Sequence, residues 1–212
     1  MPGYGCLPPW KEIEEILVVL EPLAIYITKV EGDQVTLGEA IELYLPVLVH
    51  LTAAVENLWK SLSARLKPVL NSRSELVFSD YGLLANLLDY RFRCTQLNSV
   101  QRRKGIALLL VLSGGRLEHD ALLKELEDFC SSSGRYSQLT IGSHGGFPAQ
   151  KNWTGLFSDA PLAAVGSRVC GSPTASASVE RLWSAAGHQV EVRERLSVEH
   201  LFQELYFGMN FP

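Results

Sequence analysis

The sequence predicts a mainly α-helical protein. Apolar residues return every three or four positions in several segments, which is the spacing of one helix face. Residues that favour helix starts precede two of these segments, at Thr36 and at Ser197. The chain has 212 residues, of which 47% are hydrophobic. It is therefore long and apolar enough to bury a sizeable core.

The first helical pattern follows a proline-rich start. One apolar face is made by Ile13, Ile16, Leu17, Leu20, Ala24 and Ile27. We expect this face to be buried, and we expect Pro22 to kink or split the helix.

A second helix is predicted to begin after Thr36. Thr36 fits the N-cap position, and Glu39 fits the capping-box position three residues later. Ile41, Leu45 and Leu48 continue its apolar face, and Pro46 is expected to bend it or divide it into two abutting helices.

The middle of the chain is predicted to contain two helices and a linker. The apolar run from Ile106 to Leu112 fits a strand or a buried helix, and a helix is favoured. Leu122, Leu126 and Phe129 predict a further amphipathic helix. Residues 131–150 are rich in glycine and serine and are predicted to form a flexible linker.

The last helix has the clearest pattern in the chain. Its apolar positions follow the N-cap candidate Ser197 at helical spacing and are Val198, Leu201, Phe202, Leu205, Tyr206 and Met209. Such a stripe must pack against another surface.

Charge and cysteine usage narrow the classes of function. A net charge of −4 gives no general attraction to nucleic acid, so any DNA contact must be local. Cys6, Cys94, Cys130 and Cys170 are widely spaced, which favours reduced and mostly buried thiols over a zinc site. The start of the chain does not resemble a signal peptide, so we expect an intracellular protein without a membrane partner.

The block Ser172 to Gly187 reads SPTASASVERLWSAAG, and an Arg-containing segment and the predicted last helix follow it. It resembles the C-terminal signature of hAT-superfamily transposases. Residues 20–51 are similar to that family's proline-containing helix start, and residues 85–93 are similar to its Leu-Asp-Pro-Arg-Phe-Lys element, with Tyr90 in place of the proline. The segment from Trp153 to Val165 also resembles the family's tryptophan-containing region.

The resemblance implies a fold and a domain organisation. Residues 1–130 would be a remnant of the helical hAT insertion domain, and residues 131–150 the linker. Residues 151–212 would be the C-terminal dimerisation region, made of the last helices of an RNase H-like transposase core.

Glu180 matches the third catalytic acid of the family by motif position. RNase H-like nucleases use three separated acids to hold two divalent metals. In the family the first two acids lie upstream of the insertion domain, and we expect this chain to start within that domain. A lone carboxylate cannot build such a site, so we predict no enzyme activity, no metal site and no Mg²⁺ unless the missing acids are supplied. The favoured alternative is that Glu180 complements the helix dipole and pairs with a nearby arginine.

The remaining site residues fall into an apolar group and a basic group. The apolar group is predicted to form the dimer interface or core and comprises Val179, Leu182, Trp183, Val198, Leu201, Phe202, Leu205 and Tyr206. Arg181, Arg193 and Arg195 could contact DNA phosphates. An internal network of these arginines with Glu191, Glu194 and Glu199 is favoured over that contact.

These observations predict a transposase-derived homodimerisation module of nuclear or nucleocytoplasmic location, with its interface between about residues 161 and 210. A small-molecule substrate is not expected. Two alternatives remain. The chain could be a fragment of a metal-dependent DNA transposase that needs upstream acids, or a domesticated DNA-binding regulator, for which only weak, salt-sensitive binding is expected.

Overall fold

A computed structural model describes residues 9–32, 35–93, 95–114, 119–137 and 148–174. The protein is mainly helical, as the sequence predicts. The helices are α1 (Pro9–Val30), α2 (Leu37–Asn57), α3 (Lys60–Val77), α4 (Asp80–Leu88), α5 (Ser99–Leu112), α6 (His119–Cys130), α7 (Ala149–Thr154) and α8 (Ala163–Val169). A 3₁₀ turn at Gly134–Tyr136 follows α6. The apolar run from Ile106 to Leu112 is helical, which confirms the favoured alternative.

Side-chain caps fix the starts of the central helices. The Thr36 hydroxyl accepts a hydrogen bond from the Glu39 amide at 3.4 Å, and the Glu39 carboxylate accepts one from the Thr36 amide at 3.5 Å. This is the predicted capping box. Asn98 and Gln101 make the same reciprocal pair at the start of α5, which the sequence analysis missed.

The internal prolines do not split their helices. Both α1 and α2 are continuous through Pro22 and Pro46. Pro22 has no amide hydrogen, so the carbonyl of Val18, four residues earlier, has no partner within the helix. His50 of α2 replaces that partner, with its Nε2 at 3.1 Å from the Val18 oxygen. The two helices are therefore linked where the proline removes a bond.

The main core forms around α4. Every residue from Gly82 to Leu88 is buried, because α4 is packed against α2 on one side and α5 on another. The core continues through Leu109 of α5 and Leu122 of α6 to α7 and α8. A smaller cluster is formed by the buried residues Val19, Leu51, Val55 and Leu58, and the partly buried Leu62, Leu66 and Leu70 join α3 to it.

Trp153 of α7 is the centre of the aromatic part of the core. Its ring lies 5.2 Å from that of Phe129, 6.2 Å from that of Tyr136 and 6.0 Å from that of Phe157. Its indole N–H donates to the buried carbonyl of Leu88 at 2.9 Å. Tyr136, which the sequence assigns to the linker, is thus a buried core residue. The middle of that linker, residues 138–147, lies outside the described ranges.

α2 is also apolar and long enough to cross a membrane by composition alone. The core helix of a soluble protein meets the same criterion. Ile41, Tyr44, Leu51 and Val55 of α2 are all buried within the bundle.

Candidate interaction surface

α1 carries an exposed apolar stripe along its full length. We define the α1 stripe as Trp10, Ile13, Leu17, Leu20, Ala24 and Ile27. The intervals between its members alternate between three and four residues, which is the repeat that pairs helices in coiled coils. All six side chains are exposed, from 45% at Ile13 to 74% at Trp10 among the large ones.

This exposure corrects the expectation that the predicted face of α1 is buried. The side of α1 that packs inward carries Val19, Leu23, Tyr26 and Val30. On this side the ring of Tyr26 packs against the ring of Tyr44 of α2, with 5.2 Å between the ring centroids. Burial, and then the neighbouring Tyr44, raises the pKa of Tyr26 to about 12. Since α1 is apolar on more than one side, periodicity alone could not say which side turns inward.

A groove of about 380 Å³ runs between α1 and α2 beside the inward face. Val18 and Ile25 form its α1 wall, and Leu43 and Val47 form its α2 wall. Charged and polar side chains at Glu21, Lys29 and His50 also line it. The surface of α1 is thus apolar both along the stripe and along this groove.

The start of the signature block is fixed at the junction of α1 and α2. The amide of Leu37 donates to the Ser172 carbonyl at 3.1 Å, and the amide of Thr174 donates to the Val35 carbonyl at 3.4 Å. The Thr174 hydroxyl also donates to the carbonyl of Val30, the last residue of α1. The chain therefore leaves the described part of the protein beside the C-terminal end of α1.

An ion pair between a buried aspartate and a more exposed arginine lies close to this junction. The side chain of Asp89 is 2% exposed and accepts hydrogen bonds from the backbone amide and the guanidinium of Arg91; the shortest places Nη2 at 2.7 Å from Oδ2. Arg91 also reaches Glu39 at 3.4 Å. The hydrogen bond to Asp89 is the main cause that raises the pKa of Arg91, which is opposed by partial burial. Asp89 and Arg91 thus bind the end of α4 to the start of α2.

Asn86 makes a second polar contact between the same helices. Its amide nitrogen donates to the Gly38 carbonyl at 3.1 Å and to the Glu42 carboxylate at 3.0 Å. Its Oδ1 is buried without a partner. α2 and α4 approach closely here, since a Cβ on Gly38 would lie 2.9 Å from the Ala85 backbone.

Two other side chains of the described ranges that could take part in chemistry, those of Cys170 and Arg102, make contacts within the fold. Burial raises the pKa of the Cys170 thiol, which lies 3.8 Å from the Ala85 carbonyl. Arg102 of α5 donates to the Leu97 carbonyl at 2.9 Å. Within these ranges no three His, Cys, Asp or Glu side chains are arranged to hold a metal ion.

Comparison of the chain with protein-family models, with curated proteins and with solved structures found no match. The resemblance to hAT transposases thus remains a prediction from motifs. Glu180, the three arginines Arg181, Arg193 and Arg195, and the predicted dimerisation residues Val179, Leu182, Trp183, Val198, Leu201, Phe202, Leu205 and Tyr206 all lie outside the described ranges. The structure instead adds the α1 stripe, whose spacing was visible in the sequence and whose exposure was not.

Proposed function

We propose that this chain is a homodimerisation module derived from an hAT-type transposase. The observation that carries the proposal is the exposed α1 stripe, in which six apolar side chains follow a coiled-coil repeat. An exposed apolar patch beyond a few hundred Å² is typical of an interaction site on a soluble protein. Closed two-fold dimers are the commonest arrangement for such a self-complementary surface.

The motif resemblance supports the evolutionary part of the proposal. Two of the segments that carry the resemblance make contacts within the described part of the fold. Ser172 and Pro173 contact the start of α2, Thr174 holds the end of α1, and Asp89 with Arg91 joins α4 to α2. In this proposal residues 151–212 derive from an RNase H-like core, and Glu180 has a structural role, in which it complements a helix dipole and pairs with a nearby arginine. The protein would be located in the nucleus or in both nucleus and cytoplasm.

Static light scattering of the full chain at micromolar concentration tests the proposal. We expect the mass of a dimer, and we expect Leu20→Glu to give a folded monomer. Leu20 is 52% exposed, so the substitution places a charge on the stripe without disturbing the core. Leu76→Glu is the matched control, because Leu76 is 67% exposed on α3, away from the stripe.

The control variant should remain a dimer, and circular dichroism should show the same helical content in all three proteins. A monomeric unsubstituted chain would refute the proposed function. A dimer that is unaffected by Leu20→Glu would show that the α1 stripe is not the surface that carries it.

A further inference from the structure

We propose that the α1 stripe of one copy is covered by residues 198–209 of a second copy. This inference rests on the proposed homodimer and names the partner segment. The stripe would then be the docking surface for the predicted C-terminal helix, and each dimer would contain two such exchanged contacts. Three observations lead to this assignment.

The first observation concerns area. The six side chains of the stripe offer roughly 500 Å² of apolar surface on each copy, whereas a standard interface buries about 800 Å² per partner. Two α1 helices packed against each other cover only the seam where the cylinders touch. A stable dimer through this surface therefore needs a second element beside α1.

The second observation concerns length and pattern. The α1 stripe from Trp10 to Ile27 spans about 26 Å at the rise of an α-helix, and the predicted stripe from Val198 to Met209 spans about 17 Å. Both are amphipathic faces with apolar positions at helical spacing. Two such helices bury their apolar faces by lying side by side, as amphipathic helices do in hydrophobic grooves.

The third observation concerns where the chain leaves the described fold. Thr174 is held at the C-terminal end of α1 by its bonds to Val30 and Val35. The 23 residues from 175 to 197 precede the predicted helix and can span up to about 75 Å when extended. The segment therefore starts beside the C-terminal end of α1 and is long enough to reach a neighbouring molecule.

The proposed dimer selects exchange over docking within one chain. A segment that covered the stripe of its own chain would remove the apolar surface on which the dimer depends. Exchange of the same segment between two copies keeps both apolar faces covered and joins the copies, which is a low-cost route to a dimer.

Photo-crosslinking tests the assignment in the full chain. A photoreactive amino acid replaces Leu20, and the same amino acid at Leu76 is the control. Chains with natural nitrogen are mixed with ¹⁵N-labelled chains and equilibrated, and after illumination the crosslinked peptides are identified by mass spectrometry. We expect position 20 to crosslink to residues 198–209 in pairs of one light and one heavy peptide, and we expect the control position not to.

Each other result overturns the inference. Crosslinks from position 20 to residues 198–209 that never mix isotopes would mean docking within one chain, and crosslinks to α1 would mean that two stripes face each other. Phe202→Glu, measured by light scattering, gives a second readout and should yield a monomer. A dimer that survives Phe202→Glu rejects the inference and leaves the proposed function standing, whereas a monomeric unsubstituted chain rejects both.

Discussion

The aromatic core around Trp153 and the helix α1 both carry large apolar side chains. Those of the core are buried, whereas most of those of α1 are exposed. Trp153 is 2% exposed, whereas Trp10 is 74% exposed. In α1 only Val19 is buried among the residues whose side chains are described. The difference shows that an apolar pattern predicts a helix face that packs against another surface. The arrangement of the other helices decides whether that surface belongs to the same chain.

The largest expected effect separates the two tryptophans. Trp153→Ala should lower the free energy of unfolding by about 3–5 kcal/mol, because it opens a cavity and removes the bond to Leu88. Trp10→Ala should change it by no more than about 0.5 kcal/mol at concentrations where the protein is monomeric. Urea unfolding under dilute conditions measures both values. Equal losses in the two variants would contradict the contrast between the regions.

The sequence predicts the helix starts and the apolar repeat of α1, but it does not predict which apolar side chains are buried. The Thr36 and Glu39 capping box and the repeat along α1 depend only on residue types and spacing, so the sequence predicts them. The inward side of α1 depends on the positions of α2 and α3, and Trp153 becomes a core centre only because Phe129, Tyr136 and Leu88 converge on it. Such long-range contacts leave no local pattern.

Among the polar contacts, too, some could be predicted from the sequence and others could not. Asp89 and Arg91 lie two residues apart at the end of α4, and their spacing alone does not indicate that Asp89 is buried. Asp89 is buried because α4 ends against the start of α2, where Glu39 adds a second carboxylate beside Arg91. The Asn98 and Gln101 cap, in contrast, has a recognisable spacing and could have been found.

The Asp89–Arg91 ion pair, which joins α4 to α2, should give an effect of middle size. Asp89→Ala leaves the partly buried Arg91 with only the longer contact to Glu39, so we expect a loss of about 2 kcal/mol in the free energy of unfolding. Glu56→Ala is the matched control, because the Glu56–Lys67 pair is solvent-exposed, and it should cost less than about 0.5 kcal/mol. Thermal unfolding of the two variants compares them. A loss in Asp89→Ala no larger than that of the control would argue against this pair as the connection between α2 and α4.

The smallest effect concerns the packing of α1 against α2. Burial raises the pKa of Tyr26 to about 12, from an ordinary value of 10.0. Between these two pH values the unfolded chain has lost the proton and the folded chain retains it, so stability falls as pH rises through this window. Below about pH 10 the group is neutral in both states and contributes no pH dependence.

Tyr26→Phe should make the loss of stability between pH 10 and pH 12 less steep, by a modest amount since the ring is partly exposed. Urea midpoints at a series of alkaline pH values measure the slope. Tyr81→Phe is the matched control, because Tyr81 is 52% exposed on α4. An unchanged slope in Tyr26→Phe would mean that the inward face of α1 is not held against Tyr44 as described.

Sedimentation equilibrium of the unsubstituted full chain over a dilution series tests the central claim most directly, because it measures whether the uncovered stripe acquires a partner. The account predicts a mass that rises from one chain towards two as concentration increases through the micromolar range, and a transition that Leu20→Glu abolishes. A single-chain mass at every concentration would contradict it.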